Sequence, residues 1–155
     1  MTKDQCTEGQ KEEVLKQVPQ QPPFRFIDRI VELSNEHIIT ERRFCEDEYF
    51  YAGHFPGDPV TPGVLLIETM AQAGLVALGL YLSSLENGKQ RMRTLFVEST
   101  VEFLEIVAPG ELVTVYGKKV FFRRNKLKTQ VELKKENGQL AAHGLMAGVG
   151  VVIEN

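Results

Sequence analysis

The stretch from Pro62 to Leu85, PGVLLIETMAQAGLVALGLYLSSL, constrains the fold more than any other, because Glu68 is its only charged residue. A helix apolar almost all round has to be enclosed by protein or lie in lipid. The stretch is long enough to span a bilayer. Glu68 and Gln72 interrupt it, and no Lys or Arg flanks its N-terminal end, so the expectation is a buried core helix and no membrane span. An unpaired buried carboxylate is costly, so Glu68 must be paired, hydrogen-bonded or protonated.

A helix of this kind needs a sheet to cover it, and the rest of the chain supplies strands. The alternation in FRFIDRIVEL and the run HIITERRF read as two strands separated by a turn at 34–36. A short amphipathic helix over Gln10–Val18 precedes them and ends at Pro19. After the long helix, which stops at Asn87-Gly88, four strand-like runs follow over 93–107, 111–122, 127–136 and 139–153. Pro109-Gly110, Arg124-Asn125-Lys126 and Asn137-Gly138 punctuate them, and Asn-Gly is a strong hairpin signal. Short connections predict a four-strand antiparallel meander. The expected architecture is α+β: a curved antiparallel sheet of about six strands wrapped around one central helix. Open sheet edges and an apolar helix flank predict pairing with a second copy.

Composition narrows the function classes. A chain of 155 residues suffices for a single domain, 1–155, with a real core. Hydrophobic residues at 43% and charged residues at 25% are ordinary for a globular protein. The net charge of −3 gives no drive toward nucleic acid or a membrane surface. Cys6 and Cys45 stand far apart without metal-ligand spacing, which fits a reducing, cytoplasmic setting. The polar N-terminus MTKDQCTEGQKEEVLKQ has no secretory h-region. No metal cluster, P-loop or dinucleotide fingerprint is present, so neither a metal nor a cofactor is expected.

The chemistry-bearing residues gather in GHFPGDPVTPGVLLIETMAQAG, 53–74. His54 sits on a loop whose glycines and prolines restrict its shape and admit a ligand close to the backbone. Pro62-Gly63 leaves unpaired N–H groups at a helix start, where they can bind an oxyanion. Glu68 and Gln72, spaced i, i+4, share a helix face. An imidazole, an oxyanion site and a buried carboxyl suit acid–base chemistry beside a carbonyl. Each also has a plainer reading: His54 as an ordinary polar loop residue, Glu68 as half of a buried ion pair, Pro62-Gly63 as a helix start. His37 and His143 read as structural. The basic run KKVFFRRNKLK, 118–128, reads either as a solvated hairpin end or as contact with an acidic partner.

The 53–74 segment resembles the signature of the FabZ-type beta-hydroxyacyl-[acyl-carrier-protein] dehydratases, which have a hotdog fold. PFRFIDRIVEL is similar to that family's first strand, and FVESTVEFLEIVAPGELV to the segment after its central helix. The resemblance implies that His54 and Glu68 are catalytic, that Gly63 holds the thioester carbonyl and that Gln72 orients the acid. It implies a tunnel for the acyl chain, with Phe55, Pro56, Val64 and Leu65 among its lining. It also implies acyl carrier protein as partner, a substrate borne on its phosphopantetheine arm, and a homodimer often assembled as a trimer of dimers. Within a dimer, His and Glu of one site come from different subunits. The acid Glu68 matches the FabZ type rather than the Asp of the FabA type. Thr61 departs from the usual Met, and Glu102 and Glu105 stand in a strand that is usually basic. Docking is therefore expected elsewhere, at Arg123, Arg124 and Lys126. A thioester hydrolase on the same fold and a non-catalytic acyl or carrier-protein binding module are the competing readings.

Overall fold

The computed structural model describes residues 5–154. Helix α1, Glu8–Gln17, begins before the expected Gln10 because Thr7 and Gln10 form a reciprocal capping box. Strands β1 (Arg29–Leu33) and β2 (His37–Arg43) follow, then helix α2 (Gly63–Asn87). Strands β3 (Met92–Phe103), β4 (Leu112–Arg123), β5 (Lys126–Lys135) and β6 (Leu140–Val152) complete the chain. All strand pairs are antiparallel, in one six-stranded sheet of order β1-β2-β4-β5-β6-β3.

That order corrects the meander. β4, β5 and β6 are joined by hairpins as expected, but β3 crosses to the far edge and pairs with β6. The entrance to β4 is already taken by the end of β2: Phe44 N–H donates to Glu111 O at 3.0 Å and Gly110 N–H to Phe44 O at 2.5 Å. Pro109-Gly110 is thus the corner of a crossover and not a hairpin turn. The first strand is also shorter than its alternation suggests. Phe24 and Phe26 lie outside the sheet, where the side-chain amide of Gln72 binds their backbone in place of a neighbouring strand.

Helix α2 is enclosed as its composition requires. It is long and apolar enough to cross a membrane, yet 67% of its apolar window is buried inside the protein. Leu66, Met70, Leu75 and Leu78 pack with Val113, Val115, Val131, Leu133 and Met146 of the sheet. The middle of α2, Gln72–Ala77, is π-helical, a local widening often found at functional sites. Gly74 lies in this segment, and a Cβ there would stand 3.0 Å from the Val131 side chain. The bare backbone lets helix and sheet approach closely at the centre of the core.

Candidate active site

His54 sits in the loop between β2 and α2, half-buried, with its ring stacked on Phe55 at a centroid distance of 4.1 Å. Its backbone N–H donates to Phe50 O (3.1 Å) and Tyr51 O (3.3 Å), and its C=O accepts from Val60 N–H (2.9 Å). Nδ1 lies 3.0 Å from Val60 O. A carbonyl can only accept, so Nδ1 carries a proton, and in the neutral imidazole the lone pair then sits on Nε2. That is the state a general base needs.

Gly63 opens α2. Pro62 supplies no side-chain cap, and the first helical bonds come from Leu65 and Leu66 N–H to Pro62 O. The amides of Gly63 and Val64 have no acceptor among the described residues, which leaves donors and the positive end of the helix dipole for an anion. A Cβ at Gly63 would lie 3.2 Å from Cζ of Phe103, whose ring covers the helix start, so any larger residue would have to displace that ring.

Glu68 projects from the same helix, partly buried, and accepts from Gln72 Nε2 at 3.1 Å. Burial pushes its carboxyl up from the ordinary value, and the Gln72 amide pulls the other way. Gln72 is fully buried and fully used: Nε2 also donates to Phe24 O at 2.8 Å, and Oε1 accepts from Phe26 N–H at 2.7 Å. The expected i, i+4 contact is present, and the plainer reading of Glu68 as half of an ion pair is not: no cation pairs with it among the described residues.

The other expected site residues divide by location. Phe55 (52% exposed), Pro56 and Val64 (72% exposed) lie open on the surface of a single chain, and Leu65 packs partly against the core. No hydrogen bond joins His54 to Glu68 among the described residues. Arg123, Arg124 and Lys126 are exposed at the β4–β5 hairpin, with Arg123 over the Phe121 ring. Asn125 of that hairpin lines a narrow apolar cleft with Gly79, Leu80 and Ser83 of α2. The hairpin thus lies beside the C-terminal half of α2, about 16–22 Å of helical rise from Glu68. His37 lies 2.9 Å from both Ser34 Oγ and Glu32 Oε2, and His143 Nε2 lies 3.3 Å from Glu102 Oε2. Among the described residues no group of His, Cys, Asp and Glu could hold a metal ion. Sequence reading missed the Val60 carbonyl as partner of His54 and the Phe103 ring on Gly63. The first is a backbone group with no sequence signal; the second follows only from the position of β3.

Residues 18–146 match the family described as FabA-like domain. A FabZ 3-hydroxyacyl-[acyl-carrier-protein] dehydratase of Streptococcus pyogenes serotype M3 is 33% identical over 86% of this chain and 93% of its own. A protein of Halalkalibacterium halodurans described as an uncharacterized thioester dehydrase is 36% identical over 77% of this chain and 75% of its own. Among solved structures, the dehydratase heterocomplex ApeI:P of Xenorhabdus doucetiae superposes with a TM-score of 0.72 at 15% identity, covering 89% of this chain and 90% of that one. A hypothetical thioesterase of Streptococcus pneumoniae TIGR4 shares the fold at a TM-score of 0.58 and 12% identity, over 82% and 88% of the two chains. The sequence matches carry more than fold, and the chain belongs to the FabA-like family, as a hydro-lyase of the FabZ-type hotdog dehydratases.

Proposed function

We propose that the protein removes water from (3R)-hydroxyacyl thioesters carried on acyl carrier protein, leaving trans-2-enoyl thioesters, in fatty acid or related lipid synthesis in the cytoplasm. The observation that carries this reading is the partly buried carboxyl of Glu68, bonded by Gln72 and with its pKa raised by burial. Elimination needs an acid at the leaving hydroxyl, and a carboxyl that keeps its proton supplies one. A hydrolase would use the same group ionised to activate water, and burial moves the group away from that state.

His54 Nε2 takes the C2 proton while the Gly63 N–H stabilises charge on the thioester oxygen. The C3–O bond breaks, the electron pair of the C2–H bond becomes the new double bond, and the Glu68 proton leaves with the hydroxyl as water. The imidazolium proton then returns to Glu68 through solvent, restoring both groups. Gln72 keeps Glu68 aimed at C3, and Phe55, Pro56, Val64 and Leu65 shelter the acyl chain. No cofactor takes part beyond the phosphopantetheine arm of the carrier. The exposed apolar side chains around Val64 and the lack of a bond between His54 and Glu68 support a homodimer with sites shared between copies, assembled further as a trimer of dimers. The carrier docks at Arg123, Arg124 and Lys126.

Purified protein, given 3-hydroxyacyl carrier-protein substrates of varied chain length, should form the conjugated enoyl product. His54→Ala and Glu68→Gln should each lower kcat by about 10²- to 10⁴-fold in a folded protein. Release of free thiol in place of enoyl product, or full activity of both variants, overturns the proposal.

A further inference from the structure

Thr61 stands in sequence between the two halves of the site, next to the Val60 carbonyl that meets His54 and two residues before Gly63. The Val60–Thr61 peptide gives its C=O to His54 Nδ1 at 3.0 Å and its N–H to Val107 O at 3.0 Å. Two residues further on stands the free amide of Gly63. The Thr61 hydroxyl meets the Tyr51 phenol at 2.6 Å, in a buried contact, with Tyr51 5% and Thr61 6% exposed. Tyr51 in turn offers its own carbonyl to the His54 N–H at 3.3 Å. The loop is thereby closed on itself, from Tyr51 through His54 and Val60 to Thr61. Burial raises the Tyr51 phenol, which stays a neutral hydroxyl.

We infer that the Tyr51–Thr61 hydroxyl pair is a positioning device, which holds the Val60 carbonyl against His54 and thereby sets both the tautomer of the base and its placement relative to the Gly63 amide. Neither residue touches the reacting atoms. The hydroxyl pair adds a directional, buried bond to the Val60–Thr61 peptide, beside the backbone bonds to Val107 O and His54 O. Loss of either hydroxyl strands the other in a buried place, and the Val60–Thr61 peptide loses the side-chain restraint on its distance to Nδ1. An imidazole without its carbonyl partner takes both tautomers, and only the Nδ1–H form leaves Nε2 basic.

The activity part of this inference rests on the dehydratase reading; the tautomer part does not. Tyr51→Phe, Thr61→Val, Thr61→Ser and the Tyr51→Phe/Thr61→Val double variant are near-isosteric tests. Tyr51→Phe and Thr61→Val should each lower kcat by about ten- to a hundredfold with KM nearly unchanged, the signature of a misplaced catalytic group. The double variant should be no worse than either single one, because the two hydroxyls act as a unit. Thr61→Ser keeps the hydroxyl and should retain most of the wild-type kcat. Nitrogen-15 spectra of the His54 imidazole, identified by its absence in His54→Ala, should show the Nδ1–H form in the wild type and in Thr61→Ser. A mixture of forms should appear in Tyr51→Phe and Thr61→Val. Folded Tyr51→Phe and Thr61→Val variants with the wild-type tautomer overturn the inference, as does Thr61→Ser behaving like Thr61→Val. A wild type that forms no enoyl product overturns the proposed function instead, and the spectra then decide the inference alone.

Discussion

Gln72 Nε2 lies 3.1 Å from Glu68 Oε1, and the same amide binds the backbone of Phe24 and Phe26 on a segment far away in sequence. Glu68 therefore receives one neutral hydrogen bond and no cationic partner among the described residues. One such bond favours the carboxylate, whereas burial disfavours it more, and the balance raises its pKa above the ordinary value.

That balance has a consequence for stability against pH. Unfolded, Glu68 titrates near its ordinary value of 4.5; folded, it holds its proton to higher pH. Between those two points the folded chain binds more protons than the unfolded one, so stability falls as pH rises through the window. Below pH 4.5 the stabilisation is fully present. Glu68→Gln lacks this titration. The Tm of the wild type relative to Glu68→Gln should accordingly drop as pH climbs above 4.5 toward the folded value, then level off. Parallel Tm profiles for the two proteins would refute the shift.

Gln72→Leu removes the acceptor of the Phe26 N–H and the donor to Phe24 O, and Phe26 is 1% exposed. Leaving such groups without partners should destabilise the protein by about 2–4 kcal/mol. The same change removes the one contact that lowers the Glu68 pKa, so the alkaline limb of the activity profile should move to higher pH while kcat falls. Denaturant unfolding and a pH–rate profile read the two effects separately. Wild-type stability would show that water replaces the amide without loss.

The parts of this arrangement differ in how plainly the sequence states them. Helix α2 and the Glu68–Gln72 contact follow from apolarity and i, i+4 spacing, and the Asn137-Gly138 turn has the positive φ of 89° at glycine that its composition foretells. The edge placement of β3 does not follow, because a Pro-Gly corner announces a turn without saying which strand comes next to which. Phe24–Asp28 alternates like a strand, and only the distant amide of Gln72 reveals why part of it stays outside the sheet. The partner of His54 is a backbone carbonyl, which every residue type carries equally. Local pattern reports on a residue's own environment; these features depend on which segments the crossover brings together.

β3 is an edge strand with Leu95 50%, Phe96 45% and Val97 53% exposed, and nearby Ile106 is 65% exposed. An apolar open edge of this length invites pairing with another strand. The protein should therefore run in light scattering or sedimentation as a dimer or a multiple of one, well above the 17.5 kDa of a single chain. Dilution into monomer should abolish activity if each site draws on two copies. An active monomer would refute the shared site.

Carrier docking is expected at the β4–β5 hairpin and not along β3 and the residues after it, where Glu102 and Glu105 are both exposed. Arg124 and Asn125 have φ of 51° and 61°, the backbone of a tight two-residue turn, which carries Arg124 at the hairpin tip. Arg123 rests over Phe121 at 4.9 Å, while Lys119 is occupied by Glu36 at 3.2 Å, so Arg124 and Lys126 are the freer cations. Attraction to an acidic carrier acts mainly on association and weakens with salt, over a screening length of about 8 Å at physiological ionic strength. Arg123→Glu combined with Arg124→Glu should raise KM for carrier-borne substrate several-fold at low salt, with a smaller effect at high salt. A short thioester mimic without the carrier should be turned over as by the wild type, because the hairpin lies beside the far half of α2 from Glu68. Equal loss on both substrates would mean structural damage to the sheet. No loss on either would move the docking surface away from this hairpin.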